Sequence, residues 1–236
     1  MMKTKEKLNL EEALHHFKNG KMIIVSDDEN RENEGDFIIS AEKATHKDIN
    51  FMMKEGRGLI CVPITKAYSS RLNLGPMVSD NTSIHETNFT VSVDAKKNTT
   101  TGISAQDRWE TIQVILDENA SPSDLGRPGH IFPLIAKEGG VLQRAGHTEA
   151  AIDLAKMTGL KPVSLLVEIV DDDGTMARKP RLEEISQKYN LPMITISELI
   201  EYRRKHEKLV EELSNIPLPN KFGDFSLRLF EDKIHG

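Results

Sequence analysis

One ten-residue stretch constrains this chain more than any other. Asp27-Asp28-Glu29-Asn30-Arg31-Glu32-Asn33-Glu34-Gly35-Asp36 holds six carboxylates and one arginine, with Met22-Ile23-Ile24-Val25 before it and Phe37-Ile38-Ile39 after it. Short apolar runs rich in β-branched residues read as buried strands. The acidic segment is therefore anchored at both ends in a core, and a hairpin-like pairing of its two strands makes the sheet mixed rather than purely parallel. A loop that only solvates a surface needs neither Arg31 nor Gly35. Clustered carboxylates repel one another unless a cation neutralises them, and hard divalent ions prefer oxygen ligands. The residues alone leave open a metal or polyol site and an ordinary solvated loop.

Helical and strand patterns alternate along the rest of the chain. Asn9 with Glu12 forms a capping box ahead of Leu10, Ala13, Leu14 and Phe17, and Gly20 closes that helix. Thr45 with Asp48 starts a second helix carrying Ile49, Met52 and Met53, which Gly56 ends, and Ser104 with Asp107 starts a third through Trp109, Ile112 and Leu116. Strands are expected over residues 59–63, at the alternating Phe89, Val91 and Val93, and over 131–135, 163–170 and 193–196. Helices are expected over 148–156 and 182–189, and a long one capped by Ser197 that ends at the turn-rich segment from Ser214. Strands separated by helices indicate one layered α/β domain.

Composition excludes several classes. Lys+Arg 31 against Asp+Glu 37 leaves a net charge of −6, which argues against nucleic acid as the main partner. No apolar run approaches the ~18 residues of a membrane span, and the charged start Met1-Met2-Lys3-Thr4-Lys5-Glu6-Lys7 is unlike a signal peptide. The single cysteine, Cys61, excludes an internal disulfide and a multi-cysteine zinc site, and it fits a reducing cytoplasm.

Four further segments could carry chemistry. His130 follows a Pro-Gly turn just before an apolar strand, where a loop histidine could act or simply make a local hydrogen bond. Arg144-Ala145-Gly146-His147-Thr148 feeds a helix whose N-terminus would favour an anion such as phosphate, although an ordinary cap explains Thr148 as well. Glu168 interrupts the apolar run 163–170, where burial on both faces would cost several kcal/mol unless the carboxylate is paired or used. The loop Asn98-Thr99-Thr100-Thr101-Gly102 could help hold phosphate or be a plain capped loop. Cys61 is most simply a small core residue.

Taken together the segments resemble one family, 3,4-dihydroxy-2-butanone 4-phosphate synthase of riboflavin biosynthesis, over about residues 8–205. The resemblance rests on the acidic loop 27–36, on Thr100-Thr101-Gly102-Ile103-Ser104-Ala105-Gln106-Asp107-Arg108, on Arg127-Pro128-Gly129-His130, on Arg144–Thr148 and on Asp172-Asp173-Gly174-Thr175-Met176-Ala177-Arg178, in that order. It implies a three-layer α-β-α sandwich with a mixed sheet, a homodimer with active sites near the subunit interface, and a Mg²⁺ or Mn²⁺ requirement. The implied reaction converts D-ribulose 5-phosphate into formate and 3,4-dihydroxy-2-butanone 4-phosphate. By motif position it implies Glu32 and His147 as metal ligands and His130 and Glu168 as residues essential to proton transfer. Substrate contacts fall to Arg31, Glu32, Asp36, Arg144, Ala145, Gly146, His147, Thr148 and Glu168, with Asp27, Glu34 and Cys61 of second rank. A sugar-phosphate-binding protein without activity, or a different metal-dependent sugar-phosphate enzyme, would explain the set of motifs less well.

The tail is similar to something else. Leu218-Pro219-Asn220-Lys221-Phe222-Gly223-Asp224-Phe225 and Phe230-Glu231-Asp232-Lys233-Ile234-His235-Gly236 resemble the opening of GTP cyclohydrolase II, a domain often fused behind the synthase. The resemblance implies a synthase domain over residues 1–213 and, over 214–236, a linker and the truncated start of a second domain. Such a stub is expected to be poorly ordered or loosely packed, because nothing would bury Phe222, Phe225 and Phe230.

Overall fold

The computed structural model describes residues 10–234. Nine strands and seven α-helices follow one another as α1 Leu10–Lys18, β1 Ile23–Ser26, β2 Gly35–Ser40, α2 His46–Phe51, β3 Cys61–Ile64, α3 Lys66–Arg71, β4 Val93–Ala95, α4 Ala105–Leu116, β5 Leu125–Ile135, α5 His147–Met157, β6 Ser164–Glu168, α6 Lys179–Tyr189, β7 Met193–Thr195, α7 Ile196–His206, β8 Val210–Asn220 and β9 Gly223–Asp232. The first seven strands form one sheet in the order β4-β5-β3-β6-β2-β1-β7. It is mixed: β1 runs antiparallel to β2 but parallel to β7, and β3 runs parallel to β5 but antiparallel to β6.

Side chains on a strand alternate between its two faces, so an apolar strand covered on both sides feeds two cores. Ile24, Phe37, Ile39, Val62, Leu165 and Val167 pack with Ile49, Ile112, Ile115, Leu182 and Ile185 from α2, α4 and α6. The intervening Ile23, Val25, Ile38, Cys61 and Leu166 pack with Ala13, Phe17, Ala150, Leu154 and Leu199 from α1, α5 and α7. Two helical layers sandwich one sheet, as the family resemblance implied.

Several local expectations change. The capping box at Asn9 lies outside the described residues. At Thr45 the Asp48 carboxylate accepts from the Thr45 N–H and hydroxyl, but Gly56 closes a π-helical turn, Met52–Gly56, and Arg57 takes the left-handed conformation. Of the Phe89–Val93 pattern only Val93 enters a strand, because Phe89 and Thr90 make isolated bridges to Leu134 and Pro76. β5 begins six residues before Ile131, so His130 sits within a strand and not ahead of it. The run 163–170 forms a strand only from Ser164 to Glu168, which leaves Glu168 half-buried at a strand end instead of sealed in its middle. α7 is capped by Thr195 and not Ser197: the Thr195 hydroxyl accepts from the Glu198 N–H.

α7 also stops at His206, well short of Ser214. The tail, expected to be poorly ordered or loosely packed, forms the hairpin β8–β9, whose antiparallel partners are joined by a tight turn. Its directly opposed pairs Leu218–Phe225, Ile216–Leu227 and Ser214–Leu229 share one face, and Pro217–Ser226 and Asn215–Arg228 the other. The five large side chains of the apolar face are each between 48% and 56% exposed.

Candidate active site

The strand alternation decides which side chains can meet. Asp36 and Ile38 share a face of β2, as do Leu166 and Glu168 of β6, and Ile38 and Leu166 point towards α5. Asp36 and Glu168 are direct cross-strand partners. Both carboxylates therefore open on the α5 side at one end of the sheet. There they border a cavity of about 480 Å³ walled also by Arg31, Glu32, Glu34, Arg144, His147 and Thr148, with Cys61, Leu134 and Leu166 on its apolar side.

The acidic loop folds around Asp27, whose side chain is 1% exposed. Asp27 Oδ2 accepts from Arg31 Nη1 at 2.9 Å and from the Glu32 N–H at 3.0 Å, and Oδ1 accepts from the Glu34 N–H at 2.9 Å. Glu32, whose Oε1 pairs with Arg31 at 2.9 Å, is thereby turned towards His147, with Oε2 at 3.7 Å from Nδ1. Ligand atoms of Asp27, Glu32 and His147 all lie within 4.8 Å of one another. Asp27 already accepts three hydrogen bonds, which leaves it less available to a ligand than Glu32. His147 Nε2 is buried without a hydrogen-bond partner, as is Asp36 Oδ1; among the described residues only Ser40 Oγ shares that condition. Orphaned polar atoms of this kind cost free energy unless a ligand satisfies them.

The charges are mutually biased. Burial raises the Asp36 carboxyl to about 7, with Glu168, Glu32 and Glu34 adding to it and His147 opposing. Burial alone would lower the His147 imidazole, but the charge of Asp36 and the contact with Glu32 lift it to about 9. Burial would likewise raise Glu32, yet His147 and Arg31 bring it down to about 2. Burial pushes the Cys61 thiol well up, so it behaves as an apolar wall and not as a nucleophile.

Glu168 is held by the Leu59 N–H, which donates to Oε2 at 2.8 Å. Gly58 permits this approach: a methyl group there would overlap Oε2 and come within 2.7 Å of the Glu168 backbone oxygen. At the mouth of the cavity Arg144 is fully engaged. Its Nη1 pairs with buried Glu149 at 2.6 Å, Nη2 donates to the His85 carbonyl and to Thr87 Oγ1, and Nε donates to His85 again. His85, Thr87 and Phe89 thus become wall residues. His85 and Thr87 precede the alternation that begins at Phe89, so no periodicity marks those two in the sequence.

Four of the expected residues lie off this wall, one of them Asp27, whose carboxylate is taken up inside the acidic loop. Ala145 and Gly146 precede the first turn of α5 without lining the cavity, and His130 stands apart on β5. His130 is paired with Asp94: Nδ1 lies 2.7 Å from Oδ2, and the backbone N–H donates to Oδ1 at 2.9 Å. Gly102, at φ +89°, lets the loop close over the pair, since a methyl group there would overlap Asp94 Oδ2. Asp94 was missed in the sequence, although a carboxylate between Val93 and Ala95 is the same signal that singled out Glu168.

Residues 11–202 match the family described as 3,4-dihydroxy-2-butanone 4-phosphate synthase. A riboflavin biosynthesis protein RibBA from Bacillus cereus is 59% identical over 92% of this chain and 54% of its own length. Its counterpart from Porphyromonas gingivalis is 54% identical over 98% of this chain and 57% of its own. This chain therefore spans little more than half the length of those relatives. Among solved structures, the two-domain synthase RibBX from A. baumannii superposes with a TM-score of 0.87 at 43% identity, covering 95% of this chain and 66% of that one. A 3,4-dihydroxy-2-butanone 4-phosphate synthase in complex with two magnesium ions has a TM-score of 0.81 at 40% identity, over 84% of this chain and 97% of that one. With the family model matching residues 11–202 and the fold superposing on solved members, the chain belongs to the 3,4-dihydroxy-2-butanone 4-phosphate synthase family.

Proposed function

We propose that this chain is a metal-dependent lyase that converts D-ribulose 5-phosphate into 3,4-dihydroxy-2-butanone 4-phosphate and formate, in the cytoplasm and as a homodimer. The observation that carries this reading is the pairing of Glu32 with His147 over a cavity in which His147 Nε2 and Asp36 Oδ1 are buried without partners. A carboxylate and an imidazole that gives up its proton on binding fit Mg²⁺ or Mn²⁺, and the imidazole suits Mn²⁺ better than Mg²⁺. Glu32 and His147 would hold the ion, which supplies Lewis-acid polarisation of substrate oxygens when bound.

The chain's own groups do the rest. The first turn of α5, with Thr148 in the wall and Ala145 and Gly146 leading into it, offers free N–H groups to the phosphate. Arg144 keeps that segment in place through Glu149 and the 85–87 loop. Arg31 supplies positive charge beside Glu32, and Asp36 lies across the strand from Glu168, where a substrate hydroxyl can satisfy its orphaned oxygen. Glu168 has one oxygen fixed by Leu59 and the other free to take up a proton. His130, oriented by Asp94, is the second proton-transfer residue in this scheme. It does not line this cavity, which supports the dimer reading, in which the interface brings it to a site.

No helix among the described residues is long and apolar enough to cross a membrane. We assign residues 1–213 to the synthase domain and 214–236 to the start of a GTP cyclohydrolase II-like segment. The half-exposed apolar face of the hairpin supports a further domain packing there. The experiment is to supply D-ribulose 5-phosphate and measure formate and the four-carbon phosphate. Both are expected in equal amounts, and Glu168→Gln and His130→Ala are each expected to abolish them with an unchanged circular dichroism spectrum. Near-native turnover by either variant would remove its residue from the scheme, and no formate from the unmodified chain would remove the scheme.

A further inference from the structure

Arg178 stands where its chemistry does nothing for its own helix. It is the N-cap of α6, at φ −96° and ψ 170°, and its side chain makes no capping bond. N-caps favour Ser, Thr, Asp or Asn, which accept hydrogen bonds from the first turn; arginine has no acceptor, and its positive charge faces the positive end of the helix dipole. Some other contact must account for it.

That contact is the acidic loop. Arg178 Nη1 donates to the Glu32 carbonyl at 2.8 Å and also to the Asn33 carbonyl, across 145 residues of sequence. Asn33 takes a left-handed conformation, φ 55°, which turns two consecutive carbonyls towards one guanidinium nitrogen. The loop is thus held from inside by Asp27 and from outside by Arg178.

The outer clamp is itself anchored. Beyond Glu168 the chain turns through residues 171–175, where the Asp171 N–H donates to the Thr175 carbonyl, and returns to pair the Ala177 N–H with the Ile169 carbonyl at 2.9 Å. Ala177 is fully buried. One turn into α6, Leu182 packs so closely on Gly35 that a methyl group there would overlap its Cδ1. The position of Arg178 is therefore set by the same strand that presents Glu168, while its guanidinium grips the backbone of the loop that presents Glu32.

We infer that Arg178 is a positioning residue that couples the end of β6 to the acidic loop and so holds Glu32 opposite His147. This rests on reading Glu32 and His147 as the metal pair. Groups that support metal ligands from behind change metal affinity by about 10–100-fold when removed. Arg178 is exposed, so the lower end of that range applies. Arg181, one turn further along α6, pairs with Asp171, Asp172 and Glu184 among the described residues, so Arg181→Ala removes a positive charge from the same helix and leaves the Arg178 clamp in place.

The test titrates Mn²⁺ into the 236-residue chain and its Arg178→Ala, Arg178→Lys and Arg181→Ala variants, reading free Mn²⁺ by electron paramagnetic resonance. Amide hydrogen exchange over residues 27–34 and the melting temperature are followed in parallel. Arg178→Ala is expected to weaken Mn²⁺ binding about tenfold and to speed exchange in the loop, with a melting temperature matching that of Arg181→Ala. Arg178→Lys should fall between Arg178→Ala and the unmodified chain, because a lysine ammonium can reach one carbonyl but lacks the fork. Mn²⁺ affinity within twofold of the unmodified chain, with unchanged exchange in the loop, would overturn the inference. If the unmodified chain binds no Mn²⁺, the metal reading fails by itself. Loop exchange then decides the clamp: faster exchange in Arg178→Ala alone upholds it, and equal exchange overturns it.

Discussion

Single contacts between a backbone group and a carboxylate do most of the positioning. Glu168 is aimed by one N–H and by the missing side chain of Gly58. Gly58→Ala should therefore shift the carboxylate and lower the rate of formate release by about 100-fold, the usual cost of a misplacement near 1 Å. A fall of less than threefold in a steady-state assay would show that Glu168 needs no such precision. Asp107 is a second case. It is 3% exposed and accepts from Thr100 Oγ1 at 2.8 Å and from the Gly102 N–H at 3.0 Å, which holds its pKa below the usual carboxylate range. A carboxyl depressed in the folded state contributes stability above its unfolded pKa, near 4, and loses it as the pH falls through the folded value. Acid unfolding followed by the fluorescence of Trp109 should thus be steeper below about pH 4 in the native chain than in Asp107→Asn. The gap between the two melting temperatures should close as the pH drops. Parallel acid profiles would rule this out.

At the level of helices and strands, what was legible in the sequence was what local chemistry decides. Apolar runs such as Ile23-Ile24-Val25 and Phe37-Ile38-Ile39 declared themselves as strands, and the Thr45–Asp48 and Ser104–Asp107 caps placed helix starts correctly. Strand ends were less legible, because pairing partners decide them. Arg127–His130 has the texture of a turn, and the β4–β5 register does skip it, passing from Gly126 to Ile131, yet the extended backbone of β5 runs on through it. Ile169 and Val170 have the texture of a strand, yet they bridge to Arg57 and Met176 instead of extending β6. The acidic loop, His147 and Glu168 could be picked out as residues, but their meeting depends on Asp36 lying opposite Glu168 in register, which no local signal encodes. That register rests on the core beneath it. Phe37 is fully buried, in edge-to-face contact with Phe51 at 5.3 Å between centroids. Phe37→Ala should cost about 3–5 kcal/mol of stability by urea titration, as large-to-small changes in a packed core do. A cost below ~1 kcal/mol would mean that the site does not depend on this packing.

On the scale of the whole molecule, the sandwich and the hairpin β8–β9 differ in kind. The sandwich buries its apolar residues in two cores, whereas the hairpin leaves an entire apolar face half exposed. A two-stranded hairpin is at best marginally stable in water without a partner. Amides of residues 210–232 should therefore exchange with deuterium far faster than those of Ser164–Glu168, and comparable protection would indicate that the hairpin is covered, by a second copy of the chain among other means. The sandwich in turn brings the ends of β2 and β6, the acidic loop and the start of α5 to one cavity, where the proposed lyase reaction requires a divalent ion held by Glu32 and His147. The most direct measurement is formate release from D-ribulose 5-phosphate by chain stripped with EDTA, before and after Mg²⁺ is restored. No release is expected from the stripped chain, with recovery on Mg²⁺ and no recovery in Glu32→Gln or His147→Ala. Formate released at the full rate without a divalent ion, or restored by Mg²⁺ in either variant, would contradict that requirement.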